Sequence, residues 1–504
     1  MSKDTVSASG RGTPIRFLIL ALGAAISVWL GFFSNLQPGS PEVSRTAAIA
    51  VLMATLWITE WIPLAATALL PVVLFPVLGI QDGKEVSSAY FNHIVFLFIG
   101  GFIVALAMQH CQLHRRIALH ILIAAGPSIS RLLLGFMLAT ALLSMWISNT
   151  AATMMMVTIA SALLLTLKKL NAERPDELQA ISHSLLLGTA YAASIGGLST
   201  LVGTPPNLAF AQIFAQTFPD ASEVDFLSWM MFAAPISILL FAATWLFLYR
   251  VYLQKTKIKG VDRNFLRQQL SEMGPATRAQ KIVFGLFSVL VLLWITRNGV
   301  SFGSFAIPGW KLLFAQPAFI NDGTVAIAIG CLMFFVPSFD KSGDRLMDWG
   351  KMKDMPWHIV LLFGGGFALA GAFKASGLST YIGVQLEGLS QLHPFLLLVA
   401  ICLLITFLTE LTSNLATTEM ILPIVAALAV SIDVAPLLLM IPVTISCSCA
   451  FMMPVATPPN AIVFGTGQVK IREMVRTGFV LNLIAVTIVT VVCYFLLPLV
   501  IGVD

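Results

Sequence analysis

Charge is scarce in this sequence. Of its 504 residues, 11% are Asp, Glu, Lys or Arg, against roughly 25% in an average soluble domain. So few charges cannot cover a water-exposed surface, which excludes a soluble enzyme, a nucleic-acid binder and a disordered chain. No basic patch with interleaved aromatics points to nucleic acid. The seven histidines are scattered without ligand spacing, so no metal centre is expected from them. Six cysteines, at 111, 331, 402, 447, 449 and 493, all fall in apolar stretches. They do not form the loop framework of a small secreted fold and read as reduced packing residues. No His or Lys stands near the serines of the Ser-Asn motifs described below, so a nucleophilic hydrolase lacks its base.

What the chain has in quantity is apolar sequence: 58% hydrophobic residues and a mean hydropathy of +0.90. A helix needs about 20 apolar residues to cross a hydrocarbon core of about 30 Å. Runs of that kind begin near Phe17, Thr46, Pro63, Ile94, Leu132, Ile181, Phe226, Ile282, Thr324, Ile359, Pro394, Leu437 and Thr477. The class is a polytopic all-α membrane protein with eleven to thirteen hydrophobic units. The polar, basic N-terminal stretch is not promptly followed by a small-residue cleavage site, so the run from Phe17 reads as a first span. The net charge of +5 fits loop asymmetry, and the stretch 250–281, with eight basic and two acidic residues, reads as cytoplasmic.

One run has the wrong length. Leu132 to Leu167 holds 36 residues and no charge, about 54 Å as a straight helix. At its middle lies Ser144-Met-Trp-Ile-Ser148-Asn149-Thr150, rich in residues that favour caps over helix interiors. The expectation is a helix that stops, exposes backbone and restarts, capped by Asn149 or Thr150. Irregular backbone at membrane depth needs protein or a cavity around it.

The pattern occurs twice. Ser148-Asn149-Thr150-Ala-Ala-Thr153 matches Ser413-Asn414-Leu415-Ala-Thr-Thr418 at an offset of 265. His93 to Phe102 matches His358 to Phe367 at the same offset, and Gly203-Thr-Pro-Pro-Asn207 matches Ala456-Thr-Pro-Pro-Asn460 at 253. Three motifs in the same order mark an internal duplication. Duplicated halves with interrupted helices in matching positions point to a secondary transporter's midplane site. The tandem prolines must interrupt a helix. The glycines near Gly100-Gly101 and Gly364-Gly365-Gly366 suit a re-entrant hairpin, or equally close helix packing.

The proposed site decides the sign of its guest. Restarting helices aim amino ends of roughly +0.5 charge into a cavity lined by Ser, Thr and Asn, which suits a small dianion. No Lys or Arg lies within ten residues of Ser148-Asn149-Thr150 or Ser413-Asn414-Leu415. The missing positive charge would then come from a co-bound cation, sodium, held by carbonyls and hydroxyls. Glu60, Glu410 and Glu419 lie in or beside apolar runs and are functional candidates by default. A helix-end role suits Glu60, and fixing the adjacent loop suits Glu410.

Ser446-Cys-Ser-Cys-Ala-Phe-Met-Met-Pro454-Val-Ala-Thr-Pro-Pro-Asn460-Ala-Ile-Val-Phe464 resembles the signature of the divalent anion/sodium symporter (DASS) family, INDY-like carriers of dicarboxylates and citrate. Thr55 to Pro76 and both Ser-Asn motifs resemble it too, and the likeness spans about residues 45–500. The resemblance implies about eleven transmembrane helices, two re-entrant hairpins and two inverted repeats with broken helices. It implies a homodimer embedded in membrane lipid, working by elevator-like displacement. The chain would divide into a polar tail (1–15), scaffold (16–84), transport repeat 1 (85–225), scaffold (226–349), transport repeat 2 (350–475) and a C-terminal helix (476–504).

Carried over residue by residue, Ser148, Asn149, Thr150, Ser413, Asn414 and Leu415 would contact substrate, and Thr204-Pro205 and Thr457-Pro458 would complete the pocket. One sodium site would use Ser144, Ser148, Asn149 and the backbone near Gly203. The other would use Thr409, Thr412, Asn414 and the backbone near Ala456. Leu415 departs from the Thr of many bacterial members and bears on substrate choice. The leading expectation is sodium-coupled symport of a C4-dicarboxylate such as succinate, malate or fumarate. The rivals are a sodium-independent exchanger and a carrier of citrate or sulfate.

Overall fold

The computed structural model describes residues 14–258, 263–302, 305–339 and 344–501. The expected tail 1–15 lies outside them except for Pro14 and Ile15, which already belong to the first helix, and so does 259–262 of the basic loop. Among the described residues nine helices are long and apolar enough to span a bilayer, and five shorter apolar helices accompany them. Among the described residues strand is confined to a two-stranded antiparallel ribbon, Gly299–Phe302 with Phe305–Pro308, registered Gly299 to Pro308. With so little water-facing surface to solvate irregular backbone, nearly every segment satisfies its own amides as helix.

The 36-residue uncharged run does stop at Ser144 and restart at Asn149, but it reverses direction. Its leading arm is Ile129–Ser144 and its returning arm Asn149–Leu170. Gly188 of Pro175–Gly197 lies against Leu133 and Met137, and Gly196 against Ala141, so the leading arm runs parallel to that helix. Gly197 meets Asn149 at one end while Lys168 and Gln179 line a common surface cavity at the other, so the returning arm runs antiparallel. The two arms therefore form a hairpin with the Ser-Asn motif at its tip.

The second repeat repeats this turn. Its leading arm Pro394–Leu408 runs antiparallel to Ile471–Ile501, pairing Phe395 with Tyr494 and Phe407 with Phe479. Its returning arm Asn414–Ser431 connects through four residues to Pro436–Cys447 and meets it again where Thr409 bridges Asn414 and Cys447. Gly478 abuts Phe451 just beyond Cys447, so Pro436–Cys447 ends where the leading arm ends. Leading arms of 16 and 15 residues extend about 24 Å, short of the roughly 30 Å core. They read as re-entrant.

The glycine stretches correct the expectation made for them. His93–His110 and Trp357–Ala375 are continuous helices through Gly100-Gly101 and Gly364-Gly365-Gly366. A Cβ at Gly100 would strike the backbone of Ala326, one at Gly365 that of Ala68, and one at Gly366 the side chain of Glu419. The glycines serve close helix approach, and the hairpins lie at the Ser-Asn motifs.

The broken helices lie at the tandem prolines, as Pro175–Gly197 then Pro205–Thr217, and Pro436–Cys447 then Pro458–Gly465. Each restarted half packs on the other repeat. Pro205–Thr217 lies against Asn414–Ser431 and Trp357–Ala375, and Pro458–Gly465 lies against Asn149–Leu170 and Pro175–Gly197. This exchange brings the two halves around one centre.

Candidate functional site

At the first tip the cap is Ser148 and not the expected Asn149 or Thr150, which already belong to the helix; its Oγ accepts the Ala151 N–H at 3.2 Å. Such a cap stabilises a helix start by about 1 kcal/mol. Behind it Ser144, fully buried, donates its hydroxyl to Asn149 Oδ1. At the second tip Thr409 occupies the place of Ser144. Its hydroxyl lies 2.8 Å from Asn414 Oδ1 and 2.7 Å from the Cys447 carbonyl. Ser413 takes the cap position without a side-chain cap bond, and Thr412 instead shares a 2.5 Å bond with Thr417. In both tips the asparagine oxygen is held from behind.

The segments between half-helices are tied by the asparagines of the Thr-Pro-Pro-Asn motifs, a role the sequence reading did not assign. Asn207, fully buried, donates Nδ2 to the carbonyls of Thr200 (2.7 Å), Gly197 (3.1 Å) and Leu198 (3.3 Å). Asn460 donates to Ala450 and Met453, both at 3.1 Å. Gly197 and Thr200 match Ala450 and Met453 at the offset of 253, so the knot is duplicated. Its signal was present in the sequence, in the last letter of each motif.

The carboxylate of Glu410 holds the second segment from outside. It accepts the N–H groups of Phe451 (2.7 Å), Met452 and Met453 (both 2.8 Å), and Asn482 Nδ2 at 2.8 Å. Glu410 thus has the loop-fixing geometry expected of it. In the first repeat Met145 stands in its place, and the Thr200 hydroxyl donates to the Met145 carbonyl at 2.6 Å.

Both tips and both unwound segments line one cavity of about 380 Å³. Ser148, Asn149, Thr150, Thr204, Pro205, Ser413, Asn414, Leu415, Thr457 and Pro458 all face it, joined by Gly203, Thr412 and Ala456. Ser144 and Thr409 are buried behind the wall. Four helix starts, at Asn149, Pro205, Asn414 and Pro458, converge there, each worth roughly half a positive charge. The amide nitrogens of Asn149 and Asn414 donate to no protein acceptor among the described residues and are available to an anion. Oxygens cluster at the first tip. A Cβ on Gly197 would lie 2.8 Å from Asn149 Oδ1 and 3.0 Å from the Gly203 carbonyl, so two acceptors crowd one bare backbone position. Hard cations favour such oxygen sets.

The charge balance differs from the one inferred from sequence neighbourhoods. Arg16, Glu60 and His358 also line the cavity, brought from outside both motifs by the helix packing. The Glu60 backbone is left-handed, φ 48°, at the end of Pro41–Thr59. Glu60 therefore does end a helix, and at the same time fronts the cavity.

The model of the family described as "Sodium:sulfate symporter transmembrane region" matches residues 18–501. A sodium-dependent dicarboxylate transporter, SdcS, of Staphylococcus saprophyticus is 41% identical over 461 residues, covering 91% of this chain and 86% of that protein. The SdcS of a Staphylococcus aureus strain is 42% identical over 489 residues, covering 96% and 92%. In fold the chain is similar to the crystal structure of the YdaH transporter of Alcanivorax borkumensis, with a TM-score of 0.58 over 97% of this chain and 98% of that one at 14% identity. With the family model spanning nearly its whole length, this multi-pass membrane protein belongs to the sodium:sulfate symporter transmembrane family.

Proposed function

We propose that the protein is a secondary active carrier, not an enzyme, that imports a C4-dicarboxylate together with sodium ions. The observation that carries the reading is the convergence of two hairpin tips and two unwound segments on one cavity lined by small polar side chains. The names of the staphylococcal relatives support the same substrate class and the same ion. Asn149 and Asn414 donate to substrate carboxylates, with Ser148, Thr150, Ser413, Thr204 and Thr457 around them and Pro205, Pro458 and Leu415 shaping the wall. One sodium takes Ser144, Ser148, Asn149 and the backbone near Gly203. The other takes Thr409, Thr412, Asn414 and the backbone near Ala456. Each cation offsets part of the cost of burying a dianion, which alone is prohibitive.

The hairpins and broken helices (85–225 and 350–475) act as the moving part, an elevator against the scaffold of 16–84 and 226–349 within a homodimer. The test is uptake of labelled succinate into proteoliposomes in sodium against choline buffer, with malate, fumarate, citrate and sulfate as competitors. Sodium-driven accumulation inhibited by C4-dicarboxylates supports the reading. Counterflow that ignores sodium favours an exchanger, and dominant inhibition by citrate or sulfate changes the substrate.

A further inference from the structure

The fixed charge missing from both tips arrives from the start of the chain. Arg16 lies in the first turn of Pro14–Phe32, and three contacts locate that turn. The Phe17 ring sits 6.4 Å from that of Trp61, Gly23 abuts Thr55 so closely that a Cβ would collide, and the Ser27 hydroxyl donates to the Ala48 carbonyl at 2.8 Å. This antiparallel packing sets the beginning of the first helix beside the end of the second. There Arg16 and Glu60, both exposed, border the same cavity as the tips. Among the described residues Arg16 is the one Lys or Arg that lines the cavity, and no hydrogen bond or ion pair is found for it there. An arginine at a helix start also suits snorkelling to lipid headgroups. That role alone predicts no effect on transport.

We propose that Arg16 forms an outer subsite for one carboxylate group of the anion, on the membrane face where the first helix begins. The inference rests on the dianion carriage proposed above. A guanidinium presents a planar fork of donors that matches a carboxylate. Low-dielectric walls focus its field into the cavity mouth, raising the local concentration of anions. Glu60 faces the same mouth with the opposite sign and repels the same guest. Since Arg16 stands in the first turn of a helix long and apolar enough to cross the bilayer, the subsite acts at one face of the membrane.

The test compares wild type, Arg16→Gln, Arg16→Lys and Glu60→Gln in right-side-out and inside-out membrane vesicles, reading succinate uptake at fixed sodium. Arg16→Gln is expected to raise the half-saturating concentration about three- to tenfold on one face, with the maximal rate within about twofold. Arg16→Lys retains most of the wild-type value, Glu60→Gln shifts it the opposite way, and added choline chloride narrows the differences by screening. Unchanged half-saturation on both faces, equal shifts on both, or a fall in maximal rate alone overturns the subsite. Calorimetric binding of succinate to purified wild type and Arg16→Gln reads the subsite apart from transport. Equal affinities overturn it, whereas a loss of affinity without any sodium-driven uptake by wild type sinks the carrier reading and leaves the subsite standing.

Discussion

The two halves of the molecule build the same cavity wall with different fasteners. What they share is the tip, a hydroxyl five residues ahead of an asparagine and bonded to its oxygen, and the knot tied by Asn207 or Asn460. What differs is how the unwound segment is kept in place. In the first half Gly197 and Gly203 pack backbone to backbone, the Thr200 hydroxyl crosses to the hairpin, and the buried Trp229 donates Nε1 to the Leu198 carbonyl at 3.0 Å. In the second half Ala450 and Ala456 occupy those positions, where two methyl groups prevent so close an approach. There Glu410 holds the segment from outside through three hydrogen bonds, and Asn482 donates a fourth to Glu410 itself. A duplicated loop can thus be fixed by close backbone contact with single donors, or by one carboxylate that gathers several amides.

The shared part predicts the largest effect. Asn149→Ala and Asn414→Ala should each lower sodium-driven succinate uptake at least about a hundredfold, about 2.7 kcal/mol at 1.36 kcal/mol per decade. Both variants should still elute as folded protein in gel filtration. If one of them keeps a tenth of wild-type uptake, the halves are not equivalent and only one tip serves the guest.

The fasteners come next. Glu410→Gln replaces an acceptor of four donors by a group with one carbonyl oxygen, so at least one buried N–H loses its partner. Hydrogen bonds to a carboxylate contribute about 1.5–3 kcal/mol, so the variant should lose about 2–3 kcal/mol in thermal unfolding. Thr200→Val, the corresponding change in the first half, removes one neutral bond and should cost about 1 kcal/mol. Equal losses would mean that the clamp is no stronger than the hydroxyl it parallels.

Gly203→Ala gives the first half the residue that the second carries at the matching position. The new Cβ would strike the Gly197 backbone, and overpacking of this kind costs about 1–3 kcal/mol. Sodium should then stimulate uptake less, with a raised half-saturating concentration for the ion. Ala456→Gly, the reverse exchange, should change stability by less than about 1 kcal/mol. A harmless Gly203→Ala would show that the close approach is not what holds the first segment.

Much of this was legible in the sequence. Hydropathy and length gave the class, and the repeated Ser-Asn and Thr-Pro-Pro-Asn motifs located the four interruptions that line the cavity, since proline pairs and small capping residues act on the backbone locally. Direction was not legible. A helix that restarts along its axis and one that folds back have the same cap residues, and only packing, such as Gly188 on Leu133 and Gly197 on Asn149, separates them. The glycine stretches show the same limit, because close helix approach and a tight turn both call for a missing Cβ. Arg16 was invisible for a different reason. It enters the cavity through the pairing of the first two helices, and nothing in the spacing of the tip motifs refers to residues so far upstream.

The smallest expected effect concerns the one position where the tips themselves differ. Leu415 faces the cavity where the first half has Thr150, so Leu415→Thr makes both tips read Ser-Asn-Thr. The substitution removes apolar surface and offers a hydroxyl to whatever occupies the centre. Leu415 is buried in the core and also lines the cavity, so the new hydroxyl finds its partner only on the cavity side. The maximal rate should stay within about twofold, while the ratio of half-saturating concentrations for succinate and citrate shifts about three- to tenfold. A three- to tenfold shift is about 0.7–1.4 kcal/mol at 1.36 kcal/mol per decade, the low end of what one methylene in a pocket wall supplies. Competition of each anion against labelled succinate measures the ratio. An unchanged ratio would place the guest against the first tip alone, and the two halves would then differ in occupancy as well as in fastening.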